Sequence, residues 1–167
     1  MVIMHSDLII SHFQVLREAS DHQHVQSALG EYLTQRGYAE LMITMYKSLK
    51  QASDNSMSDI ESKQQAGSNL ISMMSAYAQF TAASKHMCAQ LGMDDTLPYL
   101  TAELQTTVFP VEELPKSCQR EIMLKLEILY HCIRQCSDLR ALYRKHNAIE
   151  CLTKFLSSPE VNISILF

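Results

Sequence analysis

Chemically capable side chains are densest between positions 127 and 136, where Glu127, His131 and Arg134 stand at i, i+4 and i+7 and Cys132 and Cys136 at i and i+4. On a helix the first spacing puts a carboxylate, an imidazole and a guanidinium on one side, and the second stacks two thiols one turn apart. His131 and the two cysteines are metal-ligand types, yet a structural zinc site takes four ligands, usually from paired short-spaced motifs. Neither the other cysteines, Cys88, Cys118 and Cys151, nor the distant His22 and His24 complete such a set. The expected role of these thiols is as small apolar groups between packed helices, and no metal is assigned. Asp94 and Asp95 are an acid/base pair by type, but the reading places them in the first turn of a helix after Gly92, where carboxylates favour the positive dipole end. No GxSxG elbow, HExxH, P-loop or dinucleotide fingerprint occurs, and 4 scattered glycines cannot cradle a phosphate. The chain therefore reads as non-enzymatic, with no catalytic residue and no cofactor.

Recognition is the chemistry that remains. Glu127, His131 and Arg134 oppose the apolar Ile122, Leu126, Leu129 and Ile133, and Ser68, Ser72 and Gln79 take comparable places on a preceding helix. These six polar residues are the candidate partner-binding set. The plainer alternative is a solvated face, which any amphipathic surface helix has.

The elements that must carry these residues follow from composition. Of 167 residues 47% are hydrophobic and only 19% charged, so the chain can bury enough surface to offset its conformational entropy. With 4 Gly and 4 Pro, breakers are scarce, which favours an all-α fold. A net charge of −4 without a lysine or arginine run argues against binding nucleic-acid phosphates. Five irregularly spaced cysteines point to a reducing compartment. The amino-terminal MVIMHSDLIISHF has no basic residue and is interrupted by Asp7 and His12, so neither a secretory signal nor a membrane span is expected, and a cytoplasmic location is.

Apolar spacing predicts helices through Leu16, Val25, Leu29, Tyr32 and Leu33, through Leu41, Met42, Met45, Tyr46 and Leu49, and through Leu70, Ile71, Met74 and Ala78. The stretch 53–68, rich in serine, reads as an exposed connector, and its serines, among acidic residues, suit some kinases. A second connector holds Pro110 and Pro115 before a helix whose capped start is read at Ser117 and Gln119 to Glu121. Ser158 and Pro159 read as the start of a further helix. Three segments, RGYAELMITMYKSL, LGMDDTLPYLTAEL and HNAIECLTKFLSSP, align without gaps when Gly37, Gly92 and Asn147 are superposed, at equal intervals of about 55 residues. Met42, Leu97 and Leu152 then coincide, as do Met45, Leu100 and Phe155, and Tyr32, Met87 and Leu142.

The segment DLRALYRKHNAIECLTKFLSSPEV resembles the armadillo repeat: Asp138, Leu139 and Arg140 fall on its first helix, Ala148, Ile149, Leu152 and Leu156 on its second, and Ser157 to Glu160 on the start of its third. The resemblance implies a right-handed α-solenoid of about three units, roughly 1–80, 84–135 and an incomplete 138–167, forming one domain. HEAT-type repeats share the apolar spacing and stay open as the alternative, as an attachment module of a larger cytoskeletal or signalling assembly; a helical enzyme is a further one. Ordinary armadillo units are shorter, and the connectors supply the excess. The family's peptide-clamping asparagine is absent, with Ser75 and Ala76, then Tyr130 and His131, near its place. The resemblance implies a scaffold that binds a protein partner on its concave face, with self-association or continuation at the carboxy-terminal end, and no membrane.

Overall fold

Left-handed backbone at Gly37 (φ 78°) and Asn147 (φ 57°) turns the chain sharply from one helix into the next. Glycine adopts this conformation without cost and asparagine tolerates it. The computed structural model describes residues 23–55, 59–107 and 111–157. Within them lie α1 (Gln23–Gln35), α2 (Tyr38–Asp54), α3 (Ile60–Ala83), α4 (Lys85–Met93) and α5 (Thr96–Gln105). A 3-10 turn at Val111–Glu113 precedes α6 (Lys116–Gln135), and a second at Ser137–Leu139 precedes α7 (Arg140–Lys145) and α8 (Ala148–Leu156). No strand occurs among the described residues, so the described chain is all-α. None of these helices is long and apolar enough to cross a membrane. The helices expected at Leu16 and after Ser158 lie outside the described residues.

Three boundaries differ from the sequence reading. The connector expected over 53–68 is largely helix, because the Asp59 carboxylate accepts the Ser62 N–H at 2.8 Å and starts α3 at Ile60. Its early turns are exposed and polar; the cap and the propagation of helix from a buried second half sustain them. Similarly, α6 starts one residue before Ser117, behind Pro115 and with no side-chain cap. Gly92 is buried inside α4 and is not left-handed, so the middle break falls at Asp94 and Asp95, ahead of α5 rather than in its first turn.

The repeat positions behave unequally. Met42, Leu97 and Leu152 are all buried, as are Met45, Leu100 and Phe155. Five residues before the breaks, Met87 is buried and Leu142 half-buried, whereas Tyr32 is 52% exposed. The Arg36 guanidinium lies 5.2 Å from the Tyr32 ring centre, an exposed cation-π pair rather than a core contact.

The helices pack in two triplets and a pair: α1, α2 and α3 touch one another, α4, α5 and α6 do likewise, and α7 packs on α8. Across these groups α1 meets α4, α2 meets α4 and α5, α3 meets α4 and α6, and α8 meets α5 and α6. The α3–α6 interface is the broadest. Near its carboxyl end the Gln135 amide donates to the carbonyls of Thr81 and Ala82 at 2.5 and 2.9 Å, and near the amino ends Gly67 and Ser68 share a cleft with Ser117 and Cys118. The two helices therefore run parallel. One apolar core joins all groups, and Met42, Met45, Met74 and Met87 fill it. Where α1 passes the start of α4, a Cβ on Gly30 would lie 2.6 Å from Ser84 Cβ, so only glycine fits that approach.

Asp94 is half-buried, with Oδ1 accepting from Gln90 at 3.2 Å and Oδ2 buried without a hydrogen-bond partner among the described residues. Burial raises its pKa, opposed by the Gln90 bond and reinforced by Glu40 and Asp95. A raised carboxyl pKa favours the folded state at low pH, and that advantage is lost as pH rises through the folded value. Asp94→Asn is therefore expected to stabilise the fold by roughly 0.5 kcal/mol at pH 7, a gain discounted for solvent screening, and by nothing near pH 3. Urea melts of both proteins at the two pH values check the sign.

Candidate functional site

Two groups of polar residues stand out, both built on α6. The first begins with Glu121 and Lys125, one helical turn apart and both turned inward, at 6% and 4% exposure. Burying two charges is costly unless each finds partners, and these do. Glu121 Oε1 accepts from Lys125 Nζ at 2.8 Å and from the Tyr46 hydroxyl at 2.7 Å, and Oε2 accepts from Lys50 Nζ at 2.9 Å. Glu103 receives Lys125 at 3.4 Å and Tyr46 at 3.2 Å. The hub thus ties α2, α5 and α6 together.

Its protonation follows from these contacts. Burial pushes the Glu121 pKa up, but the Lys125 charge and hydrogen bond, with Tyr46 and Lys50, outweigh it and hold the carboxyl below its usual value. Burial likewise opposes the Lys50 charge, and the Glu121 contact wins, raising its pKa. The Tyr46 phenol is raised far above its ordinary range, first by burial and then by Glu121 and Glu103, so it remains a donor. Such groups hold one protonation state through neutrality and are poorly matched to proton transfer, which works best near the operating pH.

Above the hub opens a cleft of about 520 Å³ between the end of α2, the first half of α3 and the start of α6. Of the predicted partner-binding residues, Ser68 and Ser72 line it. Lys50, Lys63, Ser117 and Cys118 line it too, and none of them is in the predicted partner-binding set. The signal for the hub was present: Glu121 and Lys125 share an inward stripe with Ile128 and Cys132, an opposite-charge pair at i, i+4 among apolar residues.

The second group is the predicted stripe. Glu127 and His131 are half-buried and 3.9 Å apart, and Arg134 is exposed. Between them Tyr130, absent from the predicted set, sets its ring edge-to-face with His131 at 5.4 Å and receives Arg134 Nη1 on its hydroxyl at 3.5 Å. The structure gathers these four residues into one patch. It does not unite them with Ser68, Ser72 and Gln79. The bond from Gln135 to Thr81 fixes a 54-residue register between α6 and α3. In that register Ser68, Ser72 and Gln79 match the apolar Ile122, Leu126 and Ile133, while Glu127, His131 and Arg134 match the buried Met73, Tyr77 and Phe80. The two sets occupy different faces of their helices, and half-buried Gln79 is not among the residues lining the cleft.

All five cysteines are free thiols. Cys88, Cys132, Cys136 and Cys151 are buried; burial pushes Cys136 up to about 11, and lifts Cys132, with help from Cys88, and Cys151. Cys118 alone is half-buried and opens to the cleft. Native protein is expected to show one fast-reacting thiol with a disulfide reagent, with the others slower by roughly a factor of ten or more, and Cys118→Ser to abolish the fast phase. No group of three His, Cys, Asp or Glu among the described residues is arranged to hold a metal ion. Compared with known proteins, the chain matches no family model, no curated protein and no solved structure.

Proposed function

We propose that this chain is a non-enzymatic protein-interaction module, built as an armadillo-like right-handed α-solenoid, that binds a partner protein through the patch Glu127, Tyr130, His131 and Arg134. The observation that carries the reading is the pairing of α1, α2, α3 and α5 with their counterparts three helices later. In a repeat array each unit buries its apolar face against the next, and equivalent helices become neighbours in this way. The register agrees: Gln135 and Thr81 are 54 residues apart and the Thr34 and Met87 contact spans 53, near the interval of the sequence repeat. Tyr and Arg are the residue types on which interface energy concentrates, and here a ring edge, a guanidinium and an imidazole lie within one helical turn of each other.

The test is proximity labelling in cells with the parent chain and with His131→Ala/Arg134→Ala. The expected result is loss of a defined subset of partners, with purified-complex affinity lower by about 1 to 3 kcal/mol and an unchanged melting temperature. Equal partner lists and equal affinities would remove the patch from the proposal.

A further inference from the structure

We infer that the cleft between α2, α3 and α6 binds a small phosphate-bearing ligand. Its volume of about 520 Å³ suits a small molecule. Its sign is set by which hydrogen-bonding groups remain uncommitted. Both oxygens of Glu121 already accept, from Lys50, Lys125 and Tyr46, so this carboxylate has little to offer a cation. Donors, by contrast, are in surplus on every wall. Lys50 commits one of its three ammonium protons to Glu121 and keeps its side chain 32% exposed. Lys63, on α3, has no ion pair among the described residues. Ser53, Ser68, Ser72 and Ser117 add hydroxyls from all three helices.

The start of α6 reinforces the same sign. The N–H groups of its first turn have no acceptor within the helix, and Pro115 at its N-cap has no side-chain acceptor to offer them. Asp54 is the one lining carboxylate not held in the hub; it is exposed at the end of α2. Cations from α2 and α3, with hydroxyls from all three helices lining one cleft, match a tetrahedral oxyanion, which only accepts hydrogen bonds and has several oxygens to share among the walls.

The inference does not require the partner-binding reading. It is tested by following backbone amides by NMR during titration with inorganic phosphate and with glycerol 3-phosphate, against sodium chloride of equal ionic strength and against ethylamine. The expected result is saturable shifts at Lys63, Gly67, Ser117 and Cys118 with both phosphates and none with ethylamine. Lys63→Gln is expected to weaken binding at least fivefold. Ser117→Glu puts a carboxylate where it favours the helix and opposes the ligand, so it is expected to fold and to lose binding. A response no greater than that to chloride, saturation with ethylamine instead, or unchanged affinity in both variants would overturn the proposal. Glycerol 3-phosphate binding more tightly than inorganic phosphate would extend it to an organic monoester; the reverse order would restrict it to the free ion. Because His131 and Arg134 are not altered, a negative result here leaves the protein-binding proposal standing.

Discussion

Glu121→Ala is expected to destabilise the protein by about 3 to 5 kcal/mol, because it strands Lys125 in the core with only a longer ion pair to Glu103 at 3.4 Å and the Tyr46 ring at 5.0 Å. That is a large part of the roughly 5 to 15 kcal/mol by which a domain is stable, so the variant should be partly unfolded at 37 °C. Urea unfolding followed by circular dichroism at 222 nm measures it. Replacing Glu121, Lys125 and Lys50 together by apolar residues of similar size is expected to recover most of the loss, since the penalty is an unpaired buried charge rather than a missing attraction. The pH profile supplies a second readout. The Glu121 pKa is lowered on folding, so its contribution is complete above the ordinary carboxylate value of 4.5 and is lost as pH falls through the folded value. The parent should therefore lose stability steeply below that point, and Glu121→Ala should show a shallower acid limb. A loss under about 1 kcal/mol would mean that Lys125 reaches water when its partner is removed.

Phe155→Ala is expected to cost about 3 to 5 kcal/mol and Leu100→Ala about 2 to 5, the range for emptying a fully buried site. Both side chains are buried at 0% exposure and stand at the same spacing after Gly92 and Asn147 in the aligned segments. They also lie on helices that pack on one another, α5 and α8. The Phe155 result is the more informative. A short helix pair can open separately from the helices it packs on, in which case the variant would lower the unfolding slope as well as the midpoint. A midpoint shift with an unchanged slope would place α8 in the same cooperative unit as α5. A cost under about 1 kcal/mol would show that α8 contributes little to the core.

Much of the helical framework was legible in the residues themselves. Scarce glycine and proline, together with apolar spacing, announced helices through Met42 and Met45, Leu97 and Leu100, and Leu152 and Phe155, all of which face the core. The breaks at Gly37 and Asn147 were legible because a left-handed turn restricts residue type. Gly92 misled for the same reason: glycine permits that turn without requiring it, and here it remains inside α4. The stretch 53–68 misled in the opposite direction, since a polar segment extends a helix when Asp59 caps it and the far half is buried. That Glu127, His131 and Arg134 share one side of α6 follows from local spacing, whereas where Ser68, Ser72 and Gln79 lie relative to them depends on the register between two helices.

What the sequence by itself determined was the class of structure and its punctuation: an all-α chain, its inward stripes and two of its sharp turns. These depend on interactions within a few residues, which composition and spacing report directly. What only the tertiary structure decided was which charges are buried and which open on the cleft. Glu121 and Lys125 share an inward stripe along α6, but their partners Tyr46, Lys50 and Glu103 are supplied only when α2 and α5 pack against it. The cleft itself exists only because the end of α2 and the first half of α3, neighbours in the chain, meet the start of the distant α6. Which groups meet a buried charge is a property of the packed assembly of helices, and no local pattern names partners from other helices.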